Sequence, residues 1–372
     1  MAFKLPKYSE LTRDQRTIVN LPFNENHVIT GAPGTGKSVI AIHRAADMCK
    51  EGLEVLMLVY NRALRSYISS AVESLGIGAE VKTWHSWICG FYRDNFGRDI
   101  PEKHPKKYNP YKYIWSIIKT DFSKLGKKYD HVIIDEAQDV PIELIESLLL
   151  ISENVSCFMD VNQTLSSTYS GCQEVAEVLD VRTAYKLWEN FRNPKEIYDF
   201  AKLYSRDAEV DTVKESGKKP VMIKCTGYGH QTPSQLTSKM IQYIKRNFAL
   251  DYIGVFTNVS AQSAIYSELN KCLDDTDVFM CMGNAEINFD KPGVYVLTFN
   301  TMKGLEFDAV LIPKCEGITT KDDPRVDNNM FYVATTRASK ELFCFYFNKT
   351  TSSGNIDVFG PIKGHENLLS WE

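Results

Sequence analysis

A chain of 372 residues with 44% hydrophobic, 24% charged and 12% aromatic residues has an ordinary globular composition, long enough for two or three domains with large cores. A formal net charge of −4 excludes any global electrostatic drive toward polyanions, so contact with nucleic acid would have to come from local basic and aromatic surfaces. The opening MAFKLPKYSELTRDQR has no apolar signal core, and no stretch nears the ~18 apolar residues of a membrane span; a cytoplasmic protein is expected. Nine scattered cysteines without a C-x-x-C pair read as buried free thiols, not as disulfides or zinc ligands.

In chain order, candidate strands at 27–30, 54–60, 131–135, 156–160 and 184–188 alternate with helical patterns at 38–50, 62–75 and 141–151. This βαβ rhythm predicts a doubly wound, mostly parallel sheet. Residues 86–128, where aromatics, lysines and prolines break the rhythm, read as a small helical insertion. A second series follows, with strands near 220–225, 252–256, 278–281, 294–298, 308–313 and 341–347 and helices near 194–204, 235–247, 261–272 and 327–335. The predicted fold class is therefore α/β, with domains at 1–190 and 191–372.

Two motifs in the first half carry chemistry. GAPGTGKS matches G-x-x-x-x-G-K-[ST]: Gly31, Gly34, Thr35 and Gly36 let backbone N–H groups close around phosphate, Lys37 reaches the terminal phosphates, and the Ser38 hydroxyl sits on magnesium. His27 to Thr30 supplies the strand before the loop and Val39 to Met48 the helix after it, whose N-terminal dipole faces the anion. The second motif is HVIIDEAQD, whose apolar Val132 to Ile134 suits a strand buried on both faces. Asp135 then emerges at the strand's carboxyl end, where open α/β sheets place ligands. Asp135 is the expected magnesium ligand, and Glu136 the group that orients and deprotonates an attacking water. The pair predicts an ATP hydrolase that uses Mg2+. The second series lacks a phosphate loop, so nucleotide is expected in a cleft between two sheets.

Further segments, together with these two, fall in an order that resembles the superfamily 1 helicases of the UvrD/Rep type. LTRDQ resembles the family's adenine-recognising segment, with Gln15 reading the base edge. VLMLVYNRAL resembles its first single-strand contact motif, with Asn61 and Arg62 at a strand end, and VKTWHSW its T-x-H motif, with Thr83 and His85 on the nucleic-acid backbone. Gln138, Asp160 and Gln163 are similar to the couplers that sense the γ-phosphate. LWENFRNP resembles L-x-x-N-Y-R-S, which implies that Phe191 stacks on adenine and Arg192 reaches the γ-phosphate. VYVLTFNTMKGLEFDAVLIP is close to a family signature; the resemblance puts Glu306 on the nucleotide sugar and Thr298, Asn300 and Lys303 toward nucleic acid. MFYVATTRA resembles the last motif, with Arg337 as a second arginine finger. Two RecA-like P-loop domains, single-stranded or tailed DNA as partner with RNA left open, and 3′→5′ movement are what the resemblance implies. Trp84, Trp87, Tyr60 and the cluster of Lys106, Lys107 and Tyr108 are candidates for stacking and phosphate contacts.

The chain also departs from that pattern. Thr168 stands where a base-stacking aromatic is usual, beside Tyr169; Val39 replaces an arginine after the loop; Asn300 replaces a histidine and Asn329 an arginine. The interval from Arg192 to Thr298 holds no large second-domain insertion, so the chain reads as a near-minimal two-core motor. The leading expectation is an ATP-dependent helicase or translocase, of a compact type compatible with DNA repair or phage defence. The alternative is a nucleic-acid-stimulated ATPase switch that regulates a partner such as a nuclease. A P-loop kinase would need neither Arg192, Gln163 nor the 303–308 segment.

Overall fold

The computed structural model describes residues 5–60, 65, 68–69, 72, 76, 78–102, 113–160, 171–205, 210–214, 216–226, 232–246, 252–274, 276–280, 291–319, 329–350, 352 and 354–372. Two parallel sheets organise them. The first contains β1 (His27–Gly31), β2 (Val55–Val59), β3 (Glu80–Thr83), β4 (Tyr129–Asp135), β5 (Ser152–Met159) and β6 (Tyr185–Leu187), ordered β3-β2-β4-β5-β1-β6. Between the sheets, β7 (Glu189–Asn190) pairs with β8 (Asp211–Thr212). The second sheet contains β9 (Val221–Lys224), β10 (Tyr252–Thr257), β11 (Val278–Met280), β12 (Gly293–Thr298), β13 (Phe307–Ile312), β14 (Ala338–Tyr346) and β15 (Ser370–Trp371), ordered β11-β12-β10-β13-β14-β9-β15. The two-sheet α/β class expected from the sequence is the class observed.

Each central strand is apolar at successive positions because it is covered on both faces. Along β4, Val132 and Ile134 join one core with Leu56 and Leu58, while Ile133 joins the opposite core with Met57 and Phe158. In the second sheet Tyr295 and Leu297 face one core, Val294 and Val296 the other. At ~1.5–3 kcal/mol for each buried aliphatic or aromatic side chain, this double coverage is the main stabilising term.

The segment expected as a small helical insertion contributes two helices that pack on the first core. Helix Trp84–Phe96 buries Trp84, Trp87, Ile88 and Tyr92 against the sheet, and helix Trp115–Phe122 adds Ile118 and Phe122. Of the two roles open to them, base stacking and core packing, Trp84 and Trp87 take the second. Strand β3 was not expected; its four residues E-V-K-T are too short for a period to register. Most of the helix expected at 62–75 lies outside the described residues, as do Lys106, Lys107 and Tyr108. Of the cysteines, Cys157, Cys225, Cys315 and Cys344 are buried and free, whereas Cys272 is exposed. Among the described residues no helix is long and apolar enough to cross a membrane.

Residues 18–23, which join helix Arg13–Val19 to β1, are held by their carbonyls. Arg44 Nη1 donates to Ile18 (2.9 Å), Val19 (3.0 Å) and Leu21 (3.0 Å). His27 Nε2 meets the Pro22 carbonyl at 2.7 Å. His131 Nδ1 donates to the Phe23 carbonyl (2.9 Å), so its Nε2 accepts from the Ser156 hydroxyl at 2.8 Å. Burial drives the His131 imidazole down to about 3. Its folded-state value lies below the unfolded one near 6.5, so the stability it contributes is complete above ~6.5 and lost as pH falls toward 3. Thermal melts from pH 7 to pH 4 are expected to show wild type losing up to about 1.4 kcal/mol per pH unit from this group, and His131→Asn a shallower decline. Parallel declines in the two proteins would refute this assignment.

Candidate active site

The site residues of the first half lie at the carboxyl edge of its sheet. β4, β5 and β1 are neighbours, with Asp135 opposite Phe158 and Thr30 opposite Met159, so Asp135, Asp160 and the 31–38 loop come together. Gly34 and Gly36 sit at φ 78° and 89°, in the left-handed region where a Cβ is costly. A Cβ on Gly34 would also come within 2.3 Å of Asn190 Oδ1, and one on Gly36 within 2.6 Å of Gln15 Nε2. The loop is thus clasped between helix Arg13–Val19 and the strand end that carries Arg192. Phe191 reinforces that clasp: its N–H donates to the Gly34 carbonyl at 2.9 Å.

Lys37, buried to 7% exposure, donates to the Gly31 and Ala32 carbonyls at 2.8 and 3.1 Å, so its ammonium spans the concave side of the loop. Ser38 Oγ donates to Asp135 Oδ2 at 2.6 Å. Burial, and then the adjacent Glu136 carboxylate, push Asp135 up to about 7. Glu136 behaves differently. Burial alone would raise it, but Lys303, Lys37 and Arg337, with a hydrogen bond from Gln138 Nε2 (2.6 Å), hold it below its ordinary value. Its backbone is left-handed at φ 58°, a conformation that costs about 1–3 kcal/mol in a non-glycine residue and collects at functional sites. Gln138 Oε1 in turn accepts from the Asp160 N–H at 2.9 Å, tying Glu136 to the end of β5.

The second half contributes through the starts of adjacent strands. Glu306 and Arg337 immediately precede β13 and β14, which are paired at Phe307 and Ala338, and Phe307 N–H donates to the Arg337 carbonyl at 3.0 Å. Arg337 is 1% exposed; its Nε donates to the Val333 carbonyl (3.0 Å) and its Nη1 to Leu305 (3.4 Å). Burial and the nearby Arg192 bring it down to about 9, against the attraction of Glu136 and Asp160. Arg192 Nε donates to Glu306 Oε2 at 2.8 Å, while its Nη1 is buried with no hydrogen-bond partner among the described residues. An orphaned guanidinium nitrogen beside a phosphate loop fits an incoming phosphoryl oxygen.

Other expected contacts differ in this structure. Lys303, expected toward nucleic acid, is fully buried and ion-paired with Asp139 of the first half, with its Nζ 5.6 Å from the Tyr60 ring centre. The reason lies in the connection from β12 to β13, where Phe299, Met302 and Leu305 bury against the core and turn Lys303 toward the other sheet. Thr83 is buried as a helix cap, its hydroxyl accepting from Ser86 N–H at 3.4 Å. His85 is half-buried against the Trp84 and Tyr113 rings. Thr298 is buried and meets Thr301 Oγ1 at 3.2 Å, while Asn300 is exposed. Gln15 spends its amide on Thr12 N–H (3.0 Å) and the Thr35 carbonyl (3.1 Å). Asn61, Arg62 and Gln163, with Thr168 and Tyr169, lie outside the described residues. Sequence reasoning passed over Asp139, Asn190 and Asn193; the DEAQD motif contains the first, and the last stands where the L-x-x-N-Y-R-S pattern has serine.

Because Asp135 is raised in the folded state, its contribution to stability is present below ~4 and lost as pH rises through 7. With chelator present at pH 8, Asp135→Asn is expected to melt at a higher temperature than wild type, the gain disappearing toward pH 4. A lower melting temperature for the variant at both pH values would contradict the burial-driven shift.

An AAA domain family model matches residues 15–168, and a UvrD-like helicase C-terminal domain model matches residues 293–344. No curated protein matches significantly. Among solved structures, the chain is similar to the PRRSV helicase at 13% identity and TM-score 0.44, covering 89% of this chain and 54% of that one. It is also similar to the C-terminal domain of a possible DNA helicase from Lactobacillus plantarun WCFS1, at 19% identity and TM-score 0.36, covering 49% of this chain and 98% of that one. The two family matches fall on the two sheets in the order the motifs require: the chain carries an AAA domain match on its first sheet and a UvrD-like helicase C-terminal domain match on its second, and it spans about half the length of the PRRSV helicase.

Proposed function

We propose that the chain is an ATP-driven helicase or translocase that moves 3′→5′ on single-stranded DNA, with residues 1–190 and 191–372 as its two working domains. The observation that carries this reading is the division of charge across the cleft: the phosphate loop, Asp135 and Glu136 come from one sheet, and the buried Arg337 within electrostatic reach of Glu136 comes from the other. Lys37, Arg192 and Arg337 converge on the oxygens of the transferred phosphoryl group, and arginine fingers contribute roughly 10³–10⁵ in rate to such reactions. Glu136, kept ionised by its cationic neighbours, accepts the proton of the attacking water as the bond between the β- and γ-phosphates breaks. Ser38 and Asp135 are the groups that would hold Mg2+, whose chemistry is to neutralise phosphate charge. Phe191 and Gln15, which both contact the loop, are the residues proposed to meet adenine, and Glu306 would meet the sugar by exchanging its Arg192 contact.

Hydrolysis then requires the halves to be together, and release lets them part. Alternating closure of this kind converts phosphate chemistry into stepping along a bound strand. Asn300, exposed beyond the carboxyl end of β12, is the described nucleic-acid candidate already facing solvent. Asn61, Arg62 and the half-buried His85 are the other candidates for the proposed track, whereas Thr83 and Thr298 are buried and act from beneath it.

Purified protein should hydrolyse ATP faster with single-stranded DNA than without it and should displace the strand of a tailed duplex. Lys37→Ala and Glu136→Gln should each lower turnover by about 10²-fold or more. Stimulated hydrolysis without displacement would point instead to a nucleic-acid-gated switch. Turnover untouched by Glu136→Gln would sink the proposed mechanism.

A further inference from the structure

Asn193 has no role in the mechanism above, yet every donor on its side chain is spent within the site. The residue is fully buried. Its Nδ2 donates to two carbonyls, Thr336 at 3.1 Å and Ala338 at 2.6 Å, which flank Arg337 on either side. The carbonyl between them, that of Arg337 itself, is taken by Phe307 N–H at 3.0 Å. Three successive peptide groups around the arginine are thereby fixed.

The other end of the amide leads back to the phosphate loop. Asn193 Oδ1 accepts from Asn190 Nδ2 at 3.0 Å, and Asn190 Oδ1 accepts from the N–H groups of Arg192 (2.9 Å) and Asn193 (3.1 Å). Asn190 is fully buried as well, and its Oδ1 is the atom that a Cβ on Gly34 would strike. A continuous path of buried hydrogen bonds and close contact therefore runs from Gly34 through Asn190 and Asn193 to the backbone on both sides of Arg337. Arg192 hangs from the middle of that path.

We infer that Asn193 is a positioning residue that makes Arg192 and Arg337 one mechanical unit referenced to the phosphate loop. Serine, the residue of the resembled pattern at this place, has a short single donor and cannot span two carbonyls two residues apart. An amide does so, and it does so at the point where the second arginine must be aimed. Misplacing a catalytic group by about 1 Å costs on the order of 10²-fold in rate, so a device that fixes three peptide groups has kinetic weight. The inference rests on the role proposed for Arg337.

The test is a double-mutant cycle on the full chain, made with Asn193→Ser and Asn193→Ala, each alone and combined with Arg337→Lys. Saturated ATP turnover, KM, ADP affinity and melting temperature are measured for every variant. A positioning role predicts that Asn193→Ser lowers kcat about 10-fold or more while KM and ADP affinity change less than about 2-fold, and that adding it to Arg337→Lys costs little further. Full kcat in Asn193→Ser, or losses that simply multiply in the double variant, would overturn the inference. Loss of ADP binding in both Asn193 variants would overturn it too, by making Asn193 a folding residue. Arg337→Ala separates the two claims: an active Arg337→Ala sinks the proposed arginine role, whereas an inactive one beside a fully active Asn193→Ser sinks the positioning role alone.

Discussion

The contact on which the rest of the arrangement depends is the fully buried ion pair between Lys303 and Asp139, one partner from each half of the molecule. A buried charge without its partner carries a desolvation cost of several kcal/mol, so neither side chain tolerates a dry surface alone. The pair can exist only while the two halves meet. It contributes little net attraction, because water is lost from both ions when it forms, yet it makes the closed arrangement specific. When the halves separate, both ions regain water. That balance suits a contact that forms and breaks in the proposed stepping cycle, where an apolar seal of equal area would hold the cleft shut.

Closure also sets the electrostatics of the carboxylates. Asp135 and Glu136 are sequence neighbours and both are buried, and two such charges do not coexist without compensation. Lys37 belongs to their own half, whereas Lys303 and Arg337 arrive from the other and act on Glu136. The second half therefore supplies more than the proposed finger for the phosphate. It keeps the proposed general base ionised, and a molecule with parted halves would lose two of the three cations that do so. The left-handed backbone at Glu136, held by Gln138 and the end of β5, fixes where that base stands.

Much of this was legible in the sequence, because some residues have chemistry that few folds can use otherwise. The glycines at 34 and 36 announce positive φ, the lysine and serine after them announce phosphate and metal, and a β-branched run ending in Asp-Glu announces a buried strand with carboxylates at its mouth. Strand positions came through for the same reason: two-sided burial leaves an unbroken apolar signature. The partners of charged side chains did not come through. Lys303 reads equally well as a phosphate contact or a buried ion, and the choice is made by Phe299, Met302 and Leu305, whose packing no local pattern reveals. Trp84 and Trp87 were ambiguous between stacking and packing until the helix that carries them was seen to lie on the sheet. Asn193 was hidden because its partners, Thr336 and Ala338, lie 143 and 145 residues away.

The central claim is that hydrolysis belongs to the two halves jointly. The most direct measurement is single-turnover ATP hydrolysis, with ADP affinity measured in parallel, for Lys303→Met, Asp139→Asn and the double variant. The account predicts that either single change slows hydrolysis strongly while ADP still binds to the first half, and that the double change, which leaves no unpaired buried charge, recovers part of the rate. Hydrolysis at the wild-type rate in both single variants would contradict it.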